Sequence, residues 1–123
     1  EPIEEESYPM SEEDMNLISL VTMAEAEGES ELGKRLVIDT ILNRIDHPNW
    51  PNSGREVIYQ KSQFTSVWNG RIERCYVRDD ILNLVKEELK SRTNTSCLFF
   101  RTEKYSSYGT PLLKEGNHYF SSY

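Results

Sequence analysis

The stretch from Met15 to Glu29 constrains this chain more than any other, because it reads as a helix whose apolar stripe ends in a carboxylate. Ser11 with Asp14 three residues later is a capping-box start, in which a hydroxyl accepts an otherwise orphaned backbone N–H. Ile18 and Val21 recur at helical spacing, so they share one face and should point at a core. Glu25 falls four residues after Val21 on that same face, and Glu29 follows one turn later. Met23 and Glu27 lie elsewhere on the helix, on the side expected to meet solvent. Gly28 is the expected stop.

An ionised carboxylate on an apolar stripe is costly unless it has partners, and the usual relief is a raised pKa that keeps a proton on the group near neutral pH. A protonated acid beside a cleft is what glycosidic bond cleavage needs as its general acid. Periodicity equally admits a structural carboxylate paired with an arginine, and that is the commoner case. The spacing nominates Glu25 without assigning it.

The net charge of −7 argues against nucleic acid and anionic membranes as partners, since both reward a basic surface. A neutral partner such as a glycan fits better. Much of the acid sits in Glu1, Glu4, Glu5, Glu6, Glu12, Glu13 and Asp14. Residues 1–10 are therefore read as an acidic arm or linker, and 11–123 as one folded domain. With no run of about 18 apolar residues, no transmembrane helix is expected. Cys75 and Cys97 give neither a disulfide framework nor zinc spacing. One bridge or two separate buried thiols both fit, and the thiols are favoured because a domain of this size does not require a bridge.

Ser30-Glu31-Leu32 can restart a second helix, with Leu32, Leu36, Val37, Ile38, Ile41, Leu42 and Ile45 as a broad apolar surface, ending before Pro48. Residues 47–54 are a loop rich in proline and glycine. Arg55 to Gln60 suit a short helix capped by Ser53. Lys61 to Arg74 has no clear period, and loops of that length are often functional. A further helix begins at Asp79 or Asp80, with Ile81, Leu82, Val85 and Leu89 buried. Cys97 to Phe100 and Asn117 to Ser121 are strand candidates. The fold class is α+β: three main helices first, then a small antiparallel sheet near the C-terminus.

Sugar binding asks for planar polar side chains, such as Gln63 and Asn69, and for aromatic faces, such as Trp50, Trp68, Tyr105 and Tyr108. Phe64 more readily anchors its loop in the core than meets a ligand. His118, without a second histidine or cysteine at ligand spacing, gives little reason to expect a metal. No Gly-rich phosphate loop and no Gly-x-Ser-x-Gly elbow is present.

The clusters occur in a telling order. Ala24-Glu25-Ala26-Glu27-Gly28-Glu29 is followed by Ile41-Leu42-Asn43-Arg44, Pro51-Asn52, Val57-Ile58-Tyr59-Gln60, Gln63-Phe64-Thr65-Ser66-Val67, Asn69-Gly70-Arg71-Ile72 and Gly116-Asn117-His118-Tyr119-Phe120. From about Met15 to Phe120 the chain resembles the catalytic domain of the SleB/CwlJ-type cell wall hydrolases. The resemblance implies a lysozyme-like or transglycosylase-like fold and cleavage of the β-1,4 bond between N-acetylmuramic acid and N-acetylglucosamine, as a monomer without cofactor or metal. Lytic transglycosylase chemistry, leaving 1,6-anhydromuramoyl ends, is implied, with Glu25 as the single acid and base. Glu29, Gln63, Phe64, Thr65, Ser66, Tyr105 and His118 are then the residues expected at the substrate. A hydrolytic muramidase using Glu25 with Glu29, or a catalytically silent glycan-binding domain, are the alternatives. The implied location is extracellular, at the wall or spore, or the host cytoplasm at synthesis if the source is a phage. The family often carries a basic or small polar residue where Glu27 stands, and the segment from Cys97 to Leu113 is shorter than in the spore enzymes.

Overall fold

The computed structural model describes residues 8–60, 64 and 69–123. Among them are helices α1 (Glu12–Ala26), α2 (Glu31–Asp46), α3 (Gly54–Ile58) and α4 (Asp79–Lys90), a 3-10 turn at Arg71–Arg74, and strands β1 (Phe99–Thr102), β2 (Thr110–Glu115) and β3 (His118–Ser122). The expected α+β plan is present: α1, α2 and α4 as the main helices, and a small antiparallel sheet after them.

Helix α1 begins as its sequence requires, with the Ser11 hydroxyl accepting the Asp14 N–H at 3.1 Å. It packs against α2, α3, α4 and the 3-10 turn. That surround explains one correction. Met23 is only 8% exposed rather than solvent-facing, because α1 is covered on more sides than an amphipathic stripe implies. The helix ends at Ala26 with Glu27 as its cap, and Gly28 follows directly, about where the stop is expected.

Ser30 caps α2, its hydroxyl accepting the Gly33 N–H at 3.0 Å. Every residue from Leu36 to Arg44 is buried, which makes α2 the central helix. Leu32, expected in the core, is 42% exposed, since it lies in the first turn, before the helix enters the interior. Helix α3 has its expected Ser53 cap. In α4 the buried residues are Ile81, Leu84, Val85 and Glu88, while Leu82 and Leu89 are half-buried. The inward face is thus rotated toward Leu84 and Glu88.

The strand order is β1-β3-β2, with both pairings antiparallel. Phe100 pairs with Phe120 and Thr102 with His118. β1 begins two residues later than the sequence suggests, and β2 was not anticipated at all. Pro111 cannot donate to a ladder, the strand is largely exposed, and its register slips between Pro111 and Leu113. The two cysteines are free thiols, Cys97 buried and Cys75 half-buried.

The helices and the segment leading to β1 are joined by buried polar groups. Asn43 donates through Nδ2 to the carbonyls of Cys97 at 2.8 Å and Asn94 at 3.0 Å. Asp39 accepts the Asn94 N–H at 2.9 Å. Glu88 accepts from the Thr93 N–H at 2.8 Å, the Thr93 hydroxyl at 3.0 Å and Arg35 Nη1 at 2.8 Å. Burial, and then the hydrogen bond with Glu88, push the Asp39 carboxyl up to about 8. Burial also opposes charge on Glu88, but its bonds from Asp39, Thr93 and Arg35 prevail and hold it below the usual carboxylate range. The two neighbouring carboxyls are thus pushed in opposite directions, Asp39 toward its neutral form and Glu88 toward its charged form.

Candidate active site

Glu25 occupies the last turn of α1, half-buried. That turn carries no basic residue of its own. The 3-10 turn supplies one, as Arg71 Nη1 donates to the Ala24 carbonyl at 3.2 Å. A cation there answers the negative end of the helix. Asn69 fixes the approach by accepting the Arg71 N–H through Oδ1 at 3.0 Å.

Across from this helix end stands the turn between β2 and β3. Glu29 reaches it: Oε1 accepts the Asn117 N–H at 2.7 Å, and Oε2 accepts Asn117 Nδ2 at 3.4 Å. Gly116 has a left-handed φ of +58°, and a Cβ there would fall 2.7 Å from Glu29 Oε1. Only glycine combines that dihedral with so close a carboxylate. Gly116→Ala is thus expected to cost about 1–3 kcal/mol and lower the melting temperature by several degrees. An unchanged thermal unfolding curve would refute this tight cradle.

His118, the first residue of β3, is buried with Nδ1 3.5 Å from Glu29 Oε1. Its ring meets Phe100 at 5.1 Å and Phe120 at 6.0 Å, edge to face. Burial pushes His118 below the usual histidine range, and the charges of Glu29 and then Glu25 partly offset that. Glu25 is therefore within electrostatic reach of His118. The fold brings Glu25, Glu29 and His118 together from the two ends of the chain.

Phe64 is fully buried, 5.9 Å from Phe100, and anchors its loop in the core. Tyr105 packs edge-on against Tyr119 at 5.0 Å. Tyr119 is the strand neighbour of His118 and points to the opposite face, so Tyr105 is not gathered with Glu25. Gln63, Thr65 and Ser66, also expected at the substrate, lie outside the described residues, as does Trp68.

Arg44 is a feature whose role the sequence did not reveal. Buried in α2, it donates through Nε to the Leu98 carbonyl at 2.6 Å. Its guanidinium lies 5.2 Å from the ring centres of Trp50 and Phe99 and 5.8 Å from that of Phe64. Burial lowers its pKa to about 10. The surrounding rings give that cation favourable π faces in place of water.

The chain belongs to the cell wall hydrolase family: the profile described as Cell Wall Hydrolase matches residues 28–121. Glu25 lies just ahead of the matched stretch. Among individual relatives, the spore cortex-lytic enzymes of Halalkalibacterium halodurans and Bacillus subtilis are 36% and 37% identical over 62 residues, half of this chain but 19% and 20% of theirs. The matched stretch thus spans about a fifth of the length of these curated relatives. The crystal structure of the catalytic domain of the Bacillus cereus SleB protein superposes with a TM-score of 0.80 at 25% identity, covering 92% of each chain. The catalytic domain of SleB from Bacillus anthracis, described as a germination-specific lytic transglycosylase, has the same fold: TM-score 0.80 at 23% identity, covering 95% of this chain and all of that one.

Proposed function

We propose that this domain cuts peptidoglycan glycan strands at the β-1,4 bond between N-acetylmuramic acid and N-acetylglucosamine, as a lytic transglycosylase with Glu25 as its one acid and base. The observation that carries this reading is the position of Glu25: half-buried in the last turn of α1, within electrostatic reach of His118, in a chain of the cell wall hydrolase family. Glu25 gives its proton to the glycosidic oxygen as the bond to C1 breaks. The muramoyl C6 hydroxyl then closes on C1 and returns a proton to the same carboxylate. No water enters, so no second catalytic carboxylate is needed, unlike the two-carboxylate glycosidases.

The state of Glu29 supports one carboxylate over two. Its oxygens already hold the Asn117 amides, which suits a group that positions the turn better than one that must reach an attacking water. The names of the relatives suggest the spore cortex as the place of action. Digestion of purified sacculi and cortex, with mass spectrometry of the released fragments, is the test. Anhydromuramoyl ends are expected. Reducing ends would replace this mechanism with a hydrolytic muramidase, and no released glycan would leave a binding domain.

A further inference from the structure

A second patch of rings lies at the far end of β3. Tyr123 follows the last residue of the strand, five residues after His118 and thus about 16 Å away at roughly 3.3 Å per residue. Its ring meets Trp50 at 5.7 Å and His47 at 5.3 Å. Trp50 in turn meets Phe99 at 5.7 Å, and Phe99 lies 6.4 Å from Tyr108. The outermost rings face solvent, with Tyr108 72% and Tyr123 63% exposed.

Exposed tyrosines are ordinary when single and free to swing, but Tyr123 is tied through its hydroxyl and Tyr108 is placed by its backbone. Asn49 Nδ2 donates to the Tyr123 hydroxyl at 2.9 Å, and the Thr110 hydroxyl donates to the Tyr123 carbonyl at 3.4 Å. Tyr108 precedes Gly109, whose φ is +76° and where a Cβ would collide with the Ser122 carbonyl oxygen and approach Phe99 at 3.2 Å. The chain passes so close to β3 that Tyr108 is set beside Phe99. Fixing large rings in water gains little stability, whereas a ligand that meets rings already in place avoids the entropy of ordering them.

Packed side chains connect this patch to the candidate active site. His118 touches Phe100, Phe100 touches Phe64, Phe64 lies under Arg44, and Arg44 lies under Trp50. Flat rings suit the C–H faces of pyranose sugars, and the amide of Asn49 suits their hydroxyl and acetamido groups.

We infer that Trp50, Phe99, Tyr108 and Tyr123 form a ledge that holds uncharged N-acetyl sugars of the same glycan strand, several sugar units from the bond that is cut. The ledge rests on the reading of the domain as a glycan-cleaving enzyme and gives it a grip on polymer rather than on fragments.

The test separates holding from cutting. Sedimentation with purified sacculi measures binding of the full chain carrying Glu25→Gln, alone and with Tyr108→Ala and Tyr123→Ala added. The ledge predicts binding weaker by about tenfold, equivalent to roughly 1.4 kcal/mol. It also predicts that leucine at both positions, bulky and apolar but without a flat ring, fails to restore binding. Unchanged affinity in the alanine variant overturns the ledge, as does full restoration by leucine. A large fall in the melting temperature of these variants would make the tyrosines structural and would overturn it too. If Glu25→Gln still releases soluble glycan, the assignment of Glu25 fails, and the sedimentation result is read independently of it.

Discussion

Glu25→Gln is expected to leave thermal unfolding unchanged and to lower peptidoglycan turnover at least about a hundredfold, the scale on which a positioned general acid contributes. The amide keeps the shape of the side chain at the end of α1 but has no proton to deliver to a leaving oxygen. Glu29→Gln is the informative companion. It keeps an oxygen to accept the Asn117 N–H, so the β2–β3 turn should survive. Its activity should fall much less if Glu29 only positions the turn. An equal collapse in both variants, read by release of soluble glycan from sacculi, would favour the two-carboxylate muramidase. Normal turnover by Glu25→Gln would remove Glu25 from the chemistry.

The second large effect concerns stability. Glu88→Ala removes the acceptor for the Thr93 N–H, the Thr93 hydroxyl and Arg35, all near a second buried carboxyl. Breaking a buried charged network on one side typically costs about 3–5 kcal/mol, which for a domain of this size lowers the melting temperature by about 10 °C or more. Denaturant unfolding monitored by circular dichroism checks this, and a loss below about 1 kcal/mol would show the network to be dispensable. The same pair sets a pH dependence. A carboxyl raised on folding stabilises the native state fully below its ordinary value of 3.8, and loses that contribution as pH rises toward about 8. Asp39 should therefore make the protein less stable at pH 8 than at pH 5. Asp39→Asn, which can still donate to Glu88 and accept from Asn94, should flatten that slope.

Much of the helical layer was legible because its signals are local. Ser11, Ser30 and Ser53 each announce a helix, and each caps one. The broad apolar surface of α2 identified the central helix. Glu25 was nominated because Ile18 and Val21 define a face that it shares, and it lies half-buried in the last turn of that helix. Met23 was misplaced because single-face periodicity assumes one buried side, and α1 is packed on several. Strand β2 was missed because an edge strand with Pro111 and an irregular register carries no alternation to read. The polar interior was illegible for a different reason. Nothing local to Asp39 or Arg44 says that each is buried, since Asn94 and Leu98 lie about fifty residues away, and Glu88, though it meets nearby Thr93, is also bonded by the distant Arg35. His118 and Glu29 were nominated as sugar contacts. That they lie beside each other, with Glu29 gripping a turn, emerges only in three dimensions.

The bond from Glu29 to Asn117 joins residues 88 positions apart. Contacts that close so long a loop carry a large entropic toll and tend to form only when most of the chain is organised. A polypeptide still missing everything from Gly116 onward has Glu25 in hand but no turn for its helix end to face. On this plan the site around Glu25 is assembled late in folding, once two stretches 88 residues apart have met.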